Sequence, residues 1–110
     1  MIEVWGLRNC DGTRRAVRAL EHVHEVSLRD VRETPLSEDE IARLVDAFGD
    51  SVVNRRSATW RGLPPAAREE APEALLRAHP TLMKRPVIVA DGRLFLGLGE
   101  EARKSLLSED

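Results

Sequence analysis

Cys10 is the residue best suited to covalent chemistry, and it is the only cysteine in the chain. It lies between a short apolar run, which predicts a strand, and a segment of helical periodicity. Backbone N–H groups and the helix dipole favour negative charge at a helix N-terminus, so a thiolate there has a pKa below the usual value of about 8.5. Arg8, Arg14 and Arg15 are close in sequence. The sequence therefore predicts a reactive thiol, against the alternative of an inert cysteine that packs as a small apolar residue.

The first third of the chain predicts the elements that position Cys10. Ile2 to Gly6 is a short apolar run typical of a buried strand. From Thr13 onward, apolar residues recur at helical spacing with charged residues between them, which predicts an amphipathic helix. These apolar residues are Ala16, Val17, Leu20 and Val23. His24 to Leu28 then alternates polar and apolar residues, so the three elements predict a βαβ unit with parallel strands.

A helical segment is predicted next. Ser37 and Glu40 have the spacing of a capping box ahead of apolar residues at helical spacing, and Gly49 stands where a C-terminal cap belongs. The segment that follows has no clear periodicity. Pro64 to Ala71 and Pro72 to Ala78 then predict two short helices, each opened by a proline suited to the first turn.

The last third predicts a β-hairpin and a closing helix. Asp91 and Gly92, between the apolar segments Pro86 to Ala90 and Arg93 to Leu96, are a strong signal for a two-residue hairpin turn. Glu100 to Leu107 has the apolar spacing of an amphipathic helix. Together with the βαβ unit, these elements predict an α/β fold with a four-stranded mixed sheet.

Length and composition predict a single soluble domain spanning residues 1–110. The chain is 42% hydrophobic and 33% charged, with a net charge of −2. Acidic and basic residues are interspersed, so neither nucleic acid nor a membrane is the expected partner. The sequence shows no secretory leader and no run of about 18 to 20 apolar residues, which predicts a cytoplasmic protein. A single cysteine forms no intramolecular disulfide, in keeping with a reducing compartment.

Metal binding is not predicted from the histidines. His22 and His24 are two residues apart, His79 is distant, and neither Cys10 nor a carboxylate cluster completes a set with ligand spacing. We expect no bound metal and no resident cofactor.

Three segments resemble the signature segments of the ArsC/Spx family. They are Asn9 to Ala16, Asn54 to Leu63, and His79 to Val89. Their order and spacing agree with the predicted elements along most of the chain, which makes the match specific. The resemblance implies a thioredoxin-like fold with an all-helical insertion at about residues 37–82. It also implies that Pro86 is the cis-proline that faces the cysteine in such folds.

The resemblance implies roles for several side chains. In the glutaredoxin-linked arsenate reductases of this family, a cysteine thiolate attacks arsenate, glutathione joins the adduct, and glutaredoxin resolves the product. Cys10 matches that nucleophile, and Arg56 and Arg85 match arginines that hold the oxyanion through planar guanidinium groups. Thr13 and Arg14 match the end of the Cys-x-x-Ser/Thr-Arg loop at the anion site.

Two positions depart from the pattern of arsenate reductases. Leu96 stands where those enzymes carry a third arginine, and Gly6 stands where they carry a histidine that tunes the cysteine pKa. The sequence is closer to the ArsC-like branch called YffB, for which glutathione-dependent thiol reduction is inferred. We therefore expect a monothiol oxidoreductase with glutathione as co-substrate and glutaredoxin as a further partner. Its substrate would be a small oxyanion or a mixed disulfide.

Spx-type regulators of the same family give an alternative function. They bind the C-terminal domain of the RNA polymerase α-subunit and carry a Cys-x-x-Cys switch where this chain has Cys10 and Thr13. Threonine forms no disulfide, so that switch cannot form here. Some regulators of the family lack the second cysteine, and binding to the polymerase domain would favour this alternative.

Overall fold

The computed structural model, which describes residues 1–108, contains one four-stranded mixed sheet. Its strands are β1 (Ile2–Gly6), β2 (Val26–Asp30), β3 (Val87–Ala90) and β4 (Arg93–Leu96), in the order β2-β1-β3-β4. β1 runs parallel to β2 and antiparallel to β3, and β3 runs antiparallel to β4. This arrangement, closed by a C-terminal helix, is a thioredoxin-like α/β fold and confirms the predicted fold class.

The helices α1 (Asp11–Glu21) and α5 (Glu100–Leu107) pack against this sheet through a shared apolar core. Leu20 of α1 and Ala102 of α5 are buried with alternate residues of the strands. Those strand residues are Ile2, Val4, Ile88, Ala90 and Phe95. Burying one large apolar side chain contributes about 1.5–3 kcal/mol. The core therefore holds α1, and with it the junction that carries Cys10, in a fixed position on the sheet.

The chain leaves α1 through a turn that differs from the prediction. The sequence predicts Val23 as the last apolar residue of the helix, but α1 ends at Glu21 and Val23 is 60% exposed. The N–H groups of Val23 and His24 donate to the Leu20 carbonyl at 3.1 and 2.9 Å, so these residues close the helix. As a result, β2 begins at Val26, two residues later than predicted.

The hairpin and the closing helix are confirmed. Asp91 and Gly92 join β3 to β4 with φ values of 49° and 80°, the positive angles that a type I′ turn requires. After β4, the Gly97 N–H donates to the Pro86 carbonyl at 2.8 Å. This hydrogen bond ties the loop that leads into α5 to the residue that precedes β3.

Residues Thr34–Lys84 form a second compact unit, built of helices and 3₁₀ turns. Its first helix, α2 (Glu38–Phe48), begins at the predicted capping box. The Ser37 hydroxyl accepts from the Glu40 N–H at 3.1 Å, and the Glu40 carboxylate accepts from the Ser37 N–H at 2.7 Å. Gly49 ends the helix as predicted. The helices α3 (Ala58–Arg61) and α4 (Pro72–Ala78) follow.

The helix predicted over Pro64 to Ala71 is wrong, because that segment instead contains a 3₁₀ turn at Ala67–Glu69. A proline disfavours helical backbone in the residue before it, and Ala71, which precedes Pro72, is extended with φ −63° and ψ 151°. The chain therefore leaves the turn before α4 starts.

Candidate active site

Cys10 is the N-cap residue of α1, in the loop that leaves the end of β1. Its N–H donates to the Leu7 carbonyl at 3.1 Å, and its carbonyl accepts from the Arg14 N–H at 3.0 Å. These bonds tie Cys10 to the loop on one side and to the first helical turn on the other. The free thiol is half-buried, so it is held in place while one side stays accessible.

The surroundings of Cys10 favour the thiolate. Partial burial raises the pKa, but hydrogen bonds from the Thr13 hydroxyl and N–H, the Arg85 side chain and the Gly12 N–H outweigh it. Together they lower the pKa of Cys10 to about 7. A thiolate accepts such hydrogen bonds well, whereas a neutral thiol is a weak acceptor. The donors around Cys10 therefore act on its charged form.

Thr13 joins the thiol to the loop that carries it. It is a fully buried polar residue on α1. Its hydroxyl accepts a hydrogen bond from the Leu7 N–H at 3.4 Å and also stabilises the ionised Cys10 sulfur. A buried hydroxyl needs such partners, because leaving it unpaired costs free energy. The side chain thus has a structural role and an electrostatic role.

Pro86 and Cys10 border the same small space beside Gly12. The Arg85–Pro86 peptide bond is cis. A β-carbon added at Gly12 would lie 3.9 Å from Cys10 Sγ and 4.0 Å from Pro86 Cδ. The structure therefore brings Cys10, Thr13, Arg85 and Pro86 of the predicted site together around Gly12. Their catalytic and binding roles stay predictions.

A buried carboxylate outside the predicted site anchors the thiol loop. Asp30, at the end of β2, accepts hydrogen bonds from the N–H groups of Arg8 and Arg32, each at 2.9 Å. The Arg32 guanidinium donates to Asp30 and to the Asn9 side chain, both at 3.1 Å. The Arg32 guanidinium, with these N–H groups, holds the pKa of Asp30 well below its usual range despite burial. Asp30 therefore fixes the residues immediately before Cys10.

The position of Asp30 in the sequence could have indicated its role. It stands at the carboxyl end of a strand parallel to β1, in register with Gly6. Carboxyl ends of neighbouring parallel strands meet at one edge of a sheet, which is where ligands bind in open α/β sheets. An acidic residue at that position is therefore a candidate for organising the loop that follows β1.

Arg14 forms an ion pair at the surface of the protein. Its guanidinium donates to the Asp11 carboxylate at 2.7 Å, and both side chains are more than half exposed. An exposed ion pair of this kind contributes roughly 0–1 kcal/mol. The predicted role of Arg14 in anion binding stays a prediction.

Arg56 belongs to the second compact unit. It is exposed and lines a cavity of about 430 Å³ with Asp50, Asn54, Arg55 and Lys84. Its N–H donates to the Asn54 side chain at 3.0 Å, and its carbonyl accepts from the Arg61 guanidinium at 2.6 Å. The backbone around Arg56 is thus well fixed, and the cavity carries three basic side chains and one carboxylate, that of Asp50, 3.9 Å from Arg55. The predicted role of Arg56 toward the substrate stays a prediction.

Residues 1–108 contain no cluster of three His, Cys, Asp or Glu side chains that could hold a metal ion. Over the same residues, no helix is long and apolar enough to cross a membrane. His24 has a structural contact instead: its Nε2 lies 2.6 Å from the Leu106 carbonyl near the end of α5.

Comparison with known proteins identifies the family to which this fold and this thiol site belong. Residues 5–106 match the model of the ArsC family. The chain therefore belongs to the ArsC family, a family of thiol-oxidoreductase-like proteins. This confirms the resemblance stated from the three sequence segments.

Individual relatives span nearly the whole chain. An uncharacterized protein of Haemophilus influenzae is 36% identical over 107 residues, covering 92% of this chain and 94% of the relative. The global transcriptional regulator Spx of Bacillus subtilis is 29% identical over 115 residues, covering 97% of this chain and 87% of Spx. The solved structure of the YFFB (PA3664) protein superimposes with a TM-score of 0.87 at 26% identity, covering 97% of this chain and 99% of that one.

Proposed function

We propose that this protein is a monothiol oxidoreductase that reduces mixed disulfides with glutathione. The observation that carries the proposal is the position of Cys10 among the donors of Thr13, Arg85 and Gly12, which lower the pKa of the thiol to about 7. A thiol with a pKa near ambient pH combines a large thiolate fraction with good nucleophilicity. Cys10 is thus suited both to attack a disulfide and to leave from one.

The first step is attack by the Cys10 thiolate on a disulfide that joins a substrate thiol to glutathione. A bond forms between Cys10 Sγ and the glutathione sulfur, and the substrate–glutathione S–S bond breaks. The substrate sulfur departs with the electron pair and takes a proton. Arg85 and Thr13 stabilise the attacking thiolate before the step.

The second step requires a thiol from outside, because the chain has no second cysteine. A glutathione thiolate attacks the glutathione sulfur bound to Cys10, forming oxidised glutathione and releasing the Cys10 thiolate. The net reaction converts one substrate–glutathione disulfide and one glutathione into the substrate thiol and oxidised glutathione. Glutaredoxin is a further candidate source of the resolving thiol, and this requirement suits the cytoplasm, where glutathione keeps thiols reduced.

The electrophile is a disulfide sulfur and not arsenate, because this chain lacks the third arginine with which arsenate reductases hold the oxyanion. Leu96, at the position of the third arginine of arsenate reductases, lies opposite Val87 in the sheet. Arg93 cannot replace that arginine, because it lies opposite Ala90 at the turn, three residues or about 10 Å farther along the strand. Its guanidinium lies 4.8 Å from the centre of the Phe95 ring.

The proposal is tested by following disulfide exchange on the single thiol. The protein should form one mixed disulfide with glutathione at Cys10, release it when glutathione is added, and sustain turnover measured by coupled glutathione reductase. Cys10→Ser should abolish turnover, with an unchanged circular dichroism spectrum as the control for folding. Full activity of Cys10→Ser, or failure of the native thiol to exchange, would exclude the proposed function.

Spx is 29% identical to this protein in an alignment that covers 97% of this chain. This similarity supports a second candidate function, regulation through RNA polymerase. The test is titration of the protein into the isolated C-terminal domain of the polymerase α-subunit, monitored by calorimetry. Saturable binding without thiol turnover would favour the regulator. Turnover without binding would favour the reductase.

A further inference from the structure

A groove of about 330 Å³ lies in the first compact unit beside the thiol. Gly12, whose added β-carbon would lie 3.9 Å from Cys10 Sγ, and Pro86 line one part of it. Ala16, Ala19 and Leu98 give it an apolar lining. The groove thus runs from Gly12, two residues after Cys10, along α1 toward the loop that precedes α5.

The charged residues of the groove are both arginines. Arg15 projects from the second turn of α1, and Arg103 belongs to α5. The Arg103 Nε donates to the Leu98 carbonyl at 3.2 Å, which fixes its guanidinium at the rim. Among residues 1–108, those that line the groove include no acidic side chain. Two cations above an apolar surface suit an aliphatic ligand that carries a carboxylate.

The distance between the groove and the sulfur suits covalent exchange. A β-carbon placed on Gly12 would touch Cys10 Sγ at 3.9 Å. The sulfur therefore lies close to Gly12, at one end of the groove. From Gly12, Arg15 is three residues or about 4.5 Å along the helix axis. A short flexible thiol can thus reach Cys10 with its sulfur while its carboxylate reaches an arginine.

From this groove we infer a binding site for the carboxylate-bearing part of a small anionic thiol, with Arg15 and Arg103 as its recognition residues. The inference rests on the proposed function and names the subsite that selects the exchanging thiol. Glutathione has the required chemistry, since its sulfur is carried on a flexible chain with carboxylates at the ends. Arg15 and Arg103 bind the ligand, whereas Cys10 alone forms bonds to its sulfur.

The first experiment measures selectivity for charge. Rate constants for exchange of Cys10 are measured with oxidised glutathione, which is anionic, and with 4,4′-dithiodipyridine, which is neutral. The ratio of the two rate constants should fall roughly tenfold in Arg15→Gln and in Arg103→Gln, because each loses a charge-assisted hydrogen bond. Arg18→Gln is the matched control: this residue is exposed on the same helix, outside the groove, and its replacement makes the same change in net charge. It should keep the native ratio.

The second experiment separates binding from chemistry. S-methylglutathione cannot exchange, and its binding to the native protein is followed by NMR shifts of the groove residues. Saturable shifts at Ala19 and Leu98, weakened roughly tenfold by Arg15→Gln, support the site even if Cys10 proves inactive in turnover. If both arginine variants exchange normally and keep the native ratio of the two rate constants, the inference is overturned and the proposed function stands. A Cys10 thiol that exchanges with neither disulfide, in a protein that does not bind S-methylglutathione, would overturn both.

Discussion

A β-carbon added to Gly6 would lie 2.2 Å from the Oγ1 atom of Thr13 and 2.8 Å from its Cγ2 atom. The end of β1 therefore has to be glycine for the buried Thr13 side chain to take its place beside the thiol loop. The resemblance to arsenate reductases puts a histidine at the position of Gly6. In this protein any side chain at that position would displace Thr13, and with it a hydroxyl that stabilises the thiolate.

Gly6→Ala should raise the pKa of Cys10 and destabilise the fold by about 1–3 kcal/mol, because the new methyl group overpacks against Thr13. The pKa is measured from the rate of iodoacetamide alkylation against pH, and stability from urea unfolding. Gly62→Ala is the control, because its β-carbon would make ordinary contacts of 3.5 and 3.6 Å. An unchanged thiol pKa in Gly6→Ala would show that Thr13 does not depend on this glycine.

Thr13→Val should move the alkylation midpoint from about 7 toward the ordinary thiol value of about 8.5, because it removes the hydroxyl that bonds to the ionised sulfur. It also leaves the Leu7 N–H without its side-chain acceptor, which costs about 1–3 kcal/mol of stability. Thr13→Ser retains the hydroxyl and should keep a midpoint near 7. Equal midpoints for the two variants would assign the low pKa to Arg85 and the backbone donors instead.

The stability of the protein should depend on the ionisation of Cys10. The pKa of this thiol is about 7 in the folded chain and higher in the unfolded chain, so the unfolded state binds more protons between these values. The native protein should therefore gain stability relative to Cys10→Ser as pH rises from about 7 to about 9, and lose this advantage as pH falls through 7. Urea unfolding across this range measures the difference. A constant difference would mean that the two states share one thiol pKa.

Asp30→Asn should destabilise the fold by about 1–3 kcal/mol, because it weakens the bonds to Arg8 and Arg32 that hold the thiol loop. The pKa of Asp30 is depressed in the folded state, so its contribution is complete above about pH 5 and declines in more acidic solution. The difference between native and variant stability should shrink accordingly below that pH.

Asp46→Asn is the matched control for Asp30, because Asp46 is an exposed aspartate on α2. Its replacement should change stability by less than about 0.5 kcal/mol at any of these pH values. Equal effects of the two replacements would mean that Asp30 does not anchor the loop.

Predictions based on residues close in sequence agree best with the structure. The capping box of Ser37 and Glu40 and the turn at Asp91 and Gly92 are confirmed, since each signal lies within a few residues. The predictions of secondary structure are less accurate where a helix ends or where an element is short. Val23 continues the helical spacing of α1 but lies in the closing turn, and α3 has four residues, too few to display a period.

The sequence by itself determined the class of the fold and the location of its thiol. Hydrophobic periodicity set the strands and helices around Cys10, and a single cysteine requires that any disulfide on it be resolved from outside. Tertiary structure decided how residues distant in sequence approach the sulfur, the loop that carries it and the groove beside it. Asp30, Arg85 and Arg103 are 20 to 93 residues away from Cys10. Their approach depends on strand register and helix packing, and no local pattern in a sequence records that geometry.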